Sequence, residues 1–301
     1  MRNPFVPEID APHSRAVLTA GARAIGIYEY GDPQGRPVFA LHGTPACGAG
    51  FDWTDEPARE RGLRVIAPDR PGIGRSDPIA MSSVSDYGPE LGLLADALGF
   101  DRFSIIGYSG GGPYALAAAH RLADRVDATE IVAGAGEIGA WATMKELARS
   151  DRQLTWLSLH VPAVARVVLR IADVGARTAP SIALRSAATE MSVSDRQVLE
   201  QLGTPRDALA LFTQALARSS AGVVTDYALL ARPWNIPLGE IASAVHCWHG
   251  TADTLVPLAH TEALLERLPN AELTTWPDAG HLGFITHVAE VLDHIAATPA
   301  G

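Results

Sequence analysis

The stretch from Phe103 to Leu122 leaves this chain few folds to choose from. Phe103-Ser104-Ile105-Ile106 reads as a buried strand, Gly107 to Gly112 as a turn almost bare of side chains, and Pro113–Leu122 as an Ala-rich helix. The same grammar repeats on both sides. Val38–Leu41, Leu63–Ala67 and Thr129–Ala133 are short, continuous apolar runs, and Thr54–Arg61 and Val84–Leu98 between them are helix-like. Continuous apolar strands separated by helices predict a mostly parallel sheet covered on both faces, a doubly wound α/β architecture. At the start, Arg15–Thr19 and Ala24–Tyr30 read as a hairpin around Gly21, followed by a turn over Gly31–Gly35.

The alternation breaks after about Gly136. From there to about Pro233 the pattern is helical with no clear strand. Ser194-Asp195-Arg196-Gln197 has the spacing of a capping box, and Thr204-Pro205 opens another helix with proline at its first position. Leu159–Ala172, the longest apolar segment, is interrupted by Arg166 and Arg170 and reads as a helix packing on protein, too short to span a bilayer. Strand–helix alternation then resumes with Ala244–Trp248, a helix over Pro257–Leu268, a strand over Glu272–Trp276 and a closing helix from about Leu282. The expected organisation is a core of residues 1–136 and 234–301 with a helical cap, residues 137–233, inserted in it.

Gly107-Tyr108-Ser109-Gly110-Gly111 fits Gly-x-Ser-x-Gly in the setting that gives the pattern meaning, between a strand and a helix. So sharp a turn strains the central residue, and small neighbours make room for it. The serine hydroxyl then stands clear of the sheet at a helix N-terminus, where developing negative charge is favoured. Taken alone, the stretch also reads as a glycine-rich turn with an incidental serine.

With these residues the chain resembles the α/β-hydrolase fold superfamily, in its serine-nucleophile members with a helical cap. The resemblance implies a triad in the chain order serine, acid, histidine. The Ala244–Trp248 strand ends in His249-Gly250-Thr251-Ala252-Asp253, and the next strand ends in Pro277-Asp278-Ala279-Gly280-His281. Ser109 is thereby implied as nucleophile, His281 as base and Asp253 as the acid that orients it. A serine hydroxyl is a poor nucleophile until a neutral imidazole takes its proton, and a carboxylate fixes the imidazole tautomer. The resemblance also implies an oxyanion hole from the backbone N–H groups of Gly110 and of Thr44, in His42-Gly43-Thr44-Pro45. His42 is expected to hold that loop. Glu137, after the Thr129–Ala133 strand, and Asp278, beside His281, are rival acids; the first is expected to mark the start of the cap and the second a turn.

Other chemistries find less support. Asp69-Arg70-Pro71-Gly72-Ile73-Gly74-Arg75-Ser76 contains Gly-x-Gly, but it lacks the third glycine of a dinucleotide fingerprint and reads as a structural loop. No His-Glu-x-x-His or Cys/His cluster suggests a metal; His246 and His249 should point to opposite faces of their strand. A net charge of −10 argues against nucleic acid. Two distant cysteines, Cys47 and Cys247, give no disulfide framework and suit a reducing cytoplasm. Met1–Asp10, with three charges and two prolines, lacks the apolar core of a signal peptide.

The expected function is hydrolysis of a carboxylic ester, or related acyl bond, of a small substrate through an acyl-enzyme. No cofactor is implied and no membrane partner. Trp156, Leu157, Leu159, Leu211 and Phe212 in the cap suggest a hydrophobic substrate group. Carbon–carbon bond hydrolases and perhydrolase-type members share these motifs, and a ligand-binding protein could be built on the same scaffold.

Overall fold

Because side chains alternate along a strand, continuously apolar strands must be covered twice, and here they are. The computed structural model describes residues 14–19, 23–137 and 145–299. Its strands are β1 (Ser14–Leu18), β2 (Ala24–Gly31), β3 (Arg36–Leu41), β4 (Leu63–Pro68), β5 (Phe103–Tyr108), β6 (Val126–Val132), β7 (Val245–Gly250) and β8 (Ala271–Trp276). They form one eight-stranded sheet in the order β1-β2-β4-β3-β5-β6-β7-β8. β2 runs antiparallel to β1 and β4, and every other pairing is parallel. The expected opening hairpin is therefore present, although Gly21 lies outside the described residues.

Phe39, Leu41, Ile105 and Ile131 point to one face, where they pack with α2 (Tyr87–Leu98) and α3 (Gly112–Arg121). Val38, Ala40, Ile106 and Val132 point to the other, against α1 (Asp55–Glu60) and the closing helix at Gly283–Ala297. This is the mostly parallel, doubly wound α/β sheet that the sequence predicts.

Between β6 and β7 the described residues form helices and no strand: α4 (Arg149–His160), α5 (Pro162–Thr178), α6 (Pro180–Ala188), α7 (Val193–Gln201), α8 (Pro205–Ala208), α9 (Ala210–Ala215) and α10 (Ala221–Leu230). Two more helices complete the chain, α11 (Ala259–Leu265) and α12 (Gly283–Ala297). Thr204 caps α8 ahead of Pro205, as expected. The box on α7 sits two residues earlier than the sequence suggested. Ser192 is the N-cap and Asp195 the third helical residue, with the Ser192 hydroxyl accepting from Asp195 N–H. A carboxylate at that position outcompetes Gln197 because it carries the charge that a helix N-terminus favours.

The apolar Leu159–Ala172 segment is divided between two helices. Pro162 lacks an N–H and pushes Val161 out of helical geometry, to φ −141 and ψ 62, so α4 ends and α5 begins there. α5 buries Ala165, Leu169, Asp173 and Ala176, while Val164, Val167, Val168, Ile171 and Val174 face outward. Packing among the described residues thus uses only one side of α5. Among the described residues no helix is long and apolar enough to cross a membrane.

Candidate active site

The turn after β5 is as tight as its sequence demands. Ser109 has a positive φ of 54°, strained for a residue with a side chain. Around it only glycine fits. A Cβ on Gly107 would lie 2.7 Å from Ala115 Cβ and 2.8 Å from Gly112 Cα, and one on Gly111 would lie 2.1 Å from Leu41 O. The hydroxyl of Ser109 thus emerges at the carboxyl end of the sheet, where α3 begins.

The loops after β7 and β8 converge on it. Ser109 Oγ–H donates to His281 Nε2 at 3.0 Å, and His281 Nδ1–H donates to Asp253 Oδ2 at 2.7 Å. All three are buried. Asp253 Oδ1 accepts from Leu255 N–H and Val256 N–H, both at 2.9 Å, so the carboxylate is aimed before the histidine arrives. Behind it, fully buried His249 is held by Thr261 Oγ1 and Val256 O, each at 2.8 Å. Burial raises the Asp253 carboxyl, but the His281 charge and the bonds from His249 and His281 outweigh it and hold the group well below the usual carboxylate range. For His281, burial favours the neutral ring; Asp253, then Asp195 and Asp151, overcome this and raise its pKa.

The loop after β3 lies against the serine. A Cβ on Gly43 would be 3.1 Å from Ser109 Cβ, and one on Gly110 would be 2.7 Å from Thr44 Oγ1. Thr44 and Gly110 are therefore neighbours beside Ser109. His42 acts as expected. Its Nδ1–H donates to Gly43 O at 2.8 Å and its Nε2 accepts from Arg70 N–H at 3.1 Å, while burial and then the Arg70 charge push its pKa down to about 3. It is a neutral brace.

A buried ion pair fixes this loop from the far side. Arg70 donates to the carbonyl oxygens of His42 and Gly43 and, at 2.8 Å, to Thr44 Oγ1. Its Nη2 meets Asp226 Oδ2 on α10 at 2.6 Å, and Asp226 also accepts from Arg70 Nε, Tyr114 O–H and Thr44 O–H. Burial and charge oppose each other at Asp226: desolvation raises its pKa, and Arg70 more than reverses this. The only sequence clue to the pair was a lone aspartate inside the apolar run Ala221–Leu230.

Two further carboxylates, neither singled out as a site residue from the sequence, lie close to the histidine. Asp195 Oδ1 accepts from Leu282 N–H at 2.7 Å, and Asp151 Oδ1 accepts from Tyr227 O–H at 2.6 Å. Burial raises the Asp151 carboxyl.

The rival acids lie elsewhere. Glu137 accepts from Trp234 N–H at 3.1 Å and pairs with Arg267 at 2.7 Å. Asp278 sits in a turn at φ 59° with its N–H on Thr251 Oγ1. The Gly72–Gly74 stretch is folded on Asp69, which accepts from Gly48 N–H at 2.8 Å and Arg75 N–H at 2.9 Å; burial pushes its carboxyl up to about 6. Cys47 and Cys247 are free and buried, and burial raises both thiols. His246 faces Thr274 Oγ1 and His249 the opposite side of β7, as strand geometry requires. Of the cap residues expected to offer apolar surface, Leu157 and Phe212 pack into a cluster with Cys47 and Leu169, and Leu211 abuts Gly50. Trp156 is 49 % exposed, with its ring tilted at 48° against that of His160.

This fold and these converging loops define a class, and sequence comparison agrees. The profile of the "Alpha/beta hydrolase family" matches residues 38–294, and the chain belongs to that family. A relative from Dechloromonas aromatica, a 2-hydroxy-6-oxononadienedioate/2-hydroxy-6-oxononatrienedioate hydrolase, is 30 % identical over 250 residues, 81 % of this chain and 80 % of that one. Two solved structures share the fold. A thermophilic esterase from Thermogutta terrifontis has a TM-score of 0.67 at 20 % identity, covering 94 % of this chain and 96 % of its own. A meta-cleavage product hydrolase from Pseudomonas fluorescens has the same TM-score, identity and coverage.

Proposed function

We infer that the protein hydrolyses a carboxylic ester, or a related acyl bond, of a small and mainly apolar substrate through an acyl-enzyme on Ser109. What carries this reading is the unbroken hydrogen-bond chain Ser109–His281–Asp253 on a strained serine. Ser109 Oγ attacks the carbonyl carbon as its proton passes to His281 Nε2. Asp253 stabilises the imidazolium that results. The oxyanion is received by the N–H groups of Gly110 and Thr44, supplied by the backbone and so fixed before reaction. His281 returns the proton to the leaving alkoxide, and water, activated by the same histidine, releases the acid. None of these steps calls for a cofactor. The helices between residues 137 and 233 act as a cap that bounds the substrate space.

A second reading, cleavage of a carbon–carbon bond, is favoured by the Dechloromonas aromatica relative and its oxo-dienedioate substrates. The charges around His281 weigh against such a substrate. Asp253, Asp195 and Asp151 act on the imidazole, and Arg70 is engaged with Asp226 and the loop carbonyls. None of these named groups is a free cation that could meet a dianionic substrate. The first test is intact mass after exposure to a fluorophosphonate. One adduct on the wild type, absent from Ser109→Ala and slowed in His281→Ala, supports the serine mechanism. A folded wild type that takes up no adduct overturns it and brings the ligand-binding alternative forward. Turnover of neutral p-nitrophenyl esters against oxo-dienoates then separates the two hydrolase readings.

A further inference from the structure

His281 is aimed at Ser109 by Asp253, but its loop is also gripped from outside. Asp195 is fully buried, at 0 % exposure, and each of its carboxylate oxygens has a separate task. Oδ2 accepts from the Ser192 hydroxyl at 2.8 Å and from Ser192 N–H at 3.3 Å, closing the N-terminus of α7. Oδ1 reaches across to Leu282 N–H, the residue after the histidine. The fit is close: a Cβ on Gly280 would stand 2.2 Å from Ser192 Oγ and 2.3 Å from Asp195 Oδ2, so the residue before the histidine must be glycine. An ordinary helix cap needs only the first of these contacts.

We propose that Asp195 is a positioning residue for His281, clamping its loop through Leu282 N–H and setting a second carboxylate near the imidazole. This rests on the serine-hydrolase reading above. The groups facing the imidazole are Asp253 after β7, Asp151 from α4, Ser109 after β5 and Tyr108 on β5, whose ring lies 5.3 Å from it and whose O–H donates to His281 O. Asp253 fixes the ring through Nδ1. Asp195 fixes the backbone that carries the ring, and its charge adds to the stabilisation of the imidazolium. A helix cap alone would do neither.

The test compares Asp195→Asn, Asp195→Ala and Ser192→Ala by titrating the His281 ring protons in NMR spectra, assigned with His281→Ala, and by kcat and KM on a p-nitrophenyl ester. The asparagine keeps an oxygen for Leu282 N–H and loses the charge together with the acceptor that meets Ser192, a cap loss for which Ser192→Ala is the control. Its His281 pKa is expected to fall by roughly half to one pH unit, with the acidic limb of kcat/KM moving equally. In Asp195→Ala the loop is also freed, and kcat is expected to fall about 10–100-fold with little change in KM. Ser192→Ala, which loses the hydroxyl of the cap but not the clamp, should lower Tm and leave the His281 titration in place. An unmoved titration in Asp195→Asn, or an equal shift in Ser192→Ala, overturns the proposal. Should Asp195→Ala not fold, Asp195→Asn alone decides. If the wild type neither labels with fluorophosphonate nor turns over ester while the titration still shifts, the serine reading falls and the hold of Asp195 on His281 stands.

Discussion

Replacing Asp226 by asparagine should damage both stability and the active site, and the structure says by how much. Arg70 and Asp226 are 1 % and 4 % exposed, and their ion pair is 2.6 Å long. Removing one charge leaves the other buried without a counter-ion, a loss of about 3–5 kcal/mol against a typical total of about 5–15. With an unfolding entropy of roughly 2.1 cal/mol/K per residue over 301 residues, that corresponds to a fall in Tm of about 5–8 °C. Asp226 accepts from Thr44 and anchors the guanidinium that holds His42 O, Gly43 O and Thr44 Oγ1, so its loss loosens the loop that carries the Thr44 N–H. Displacing one oxyanion donor costs about 10²–10³-fold in rate. Urea unfolding followed by circular dichroism reads the first effect, and the rate of fluorophosphonate labelling reads the second. Arg70→Met combined with Asp226→Leu separates them. Removing both charges should leave the protein less destabilised than the sum of the single losses by about 2 kcal/mol or more. Labelling should stay slow, because nothing replaces the brace. Additive losses, or a double variant that labels at the wild-type rate, would refute the reasoning.

Other consequences are as direct. Asp253→Asn should fold and lose about 10⁴-fold in kcat, since the amide no longer selects the tautomer with a proton on Nδ1; steady-state turnover of an ester checks this. His281 has a pKa raised above 6.5, so its contribution to stability is fully present below pH 6.5 and lost as pH rises through the folded value. Urea unfolding of wild type and His281→Gln should accordingly differ more at pH 6 than at pH 9, and an equal difference would contradict the assignment. The carboxylate behaves oppositely: Asp253 stabilises above pH 3.8 and loses this only as pH falls through its depressed folded value. Gly107→Ala must displace Ala115 or the Gly111–Gly112 backbone, which should cost roughly 1–3 kcal/mol in urea unfolding and slow labelling together.

The strands, and the three residues that meet at the candidate site, Ser109, His281 and Asp253, stand in local patterns that the sequence displays. Apolar runs ending in glycine or proline mark β3, β4 and β5, and the three site residues follow strands at short, regular distances. What could not be found depends on contacts between residues far apart. Arg70 and Asp226 are separated by 156 positions, and Asp195 and Leu282 by 87. Locally Asp195 reads as an ordinary cap residue, and Asp226 shows only as a lone charge in an apolar run, with nothing to name its partner. The box at Ser192 differs for a related reason: Ser192-Val193-Ser194-Asp195 and Ser194-Asp195-Arg196-Gln197 are both acceptable caps by spacing, and the carboxylate that closes the first also reaches the distant Leu282 N–H. The outward apolar side of α5 is likewise invisible to a pattern that counts apolar residues without knowing what lies beside them.

The two long-range aspartates bear on how the helices over the sheet can move. Asp226 on α10 holds the loop of Thr44, and Asp195 on α7 holds the loop of His281. Both carboxylates are buried, so parting either contact exposes a charge network that burial had strengthened. A hinge lifting all the helices between β6 and β7 as one lid would therefore unfasten the Thr44 loop and the histidine loop in the same movement. α5 and α6 are different: among the described residues neither is hydrogen-bonded to those loops, and α5 meets its neighbours through Ala165, Leu169 and Ala176 and through bonds such as Arg177 to Thr213 O at 2.8 Å. Small apolar contacts slide at lower cost than buried ion pairs break. A displacement of α5 and α6 alone would leave the Thr44 and His281 loops fastened by α10 and α7.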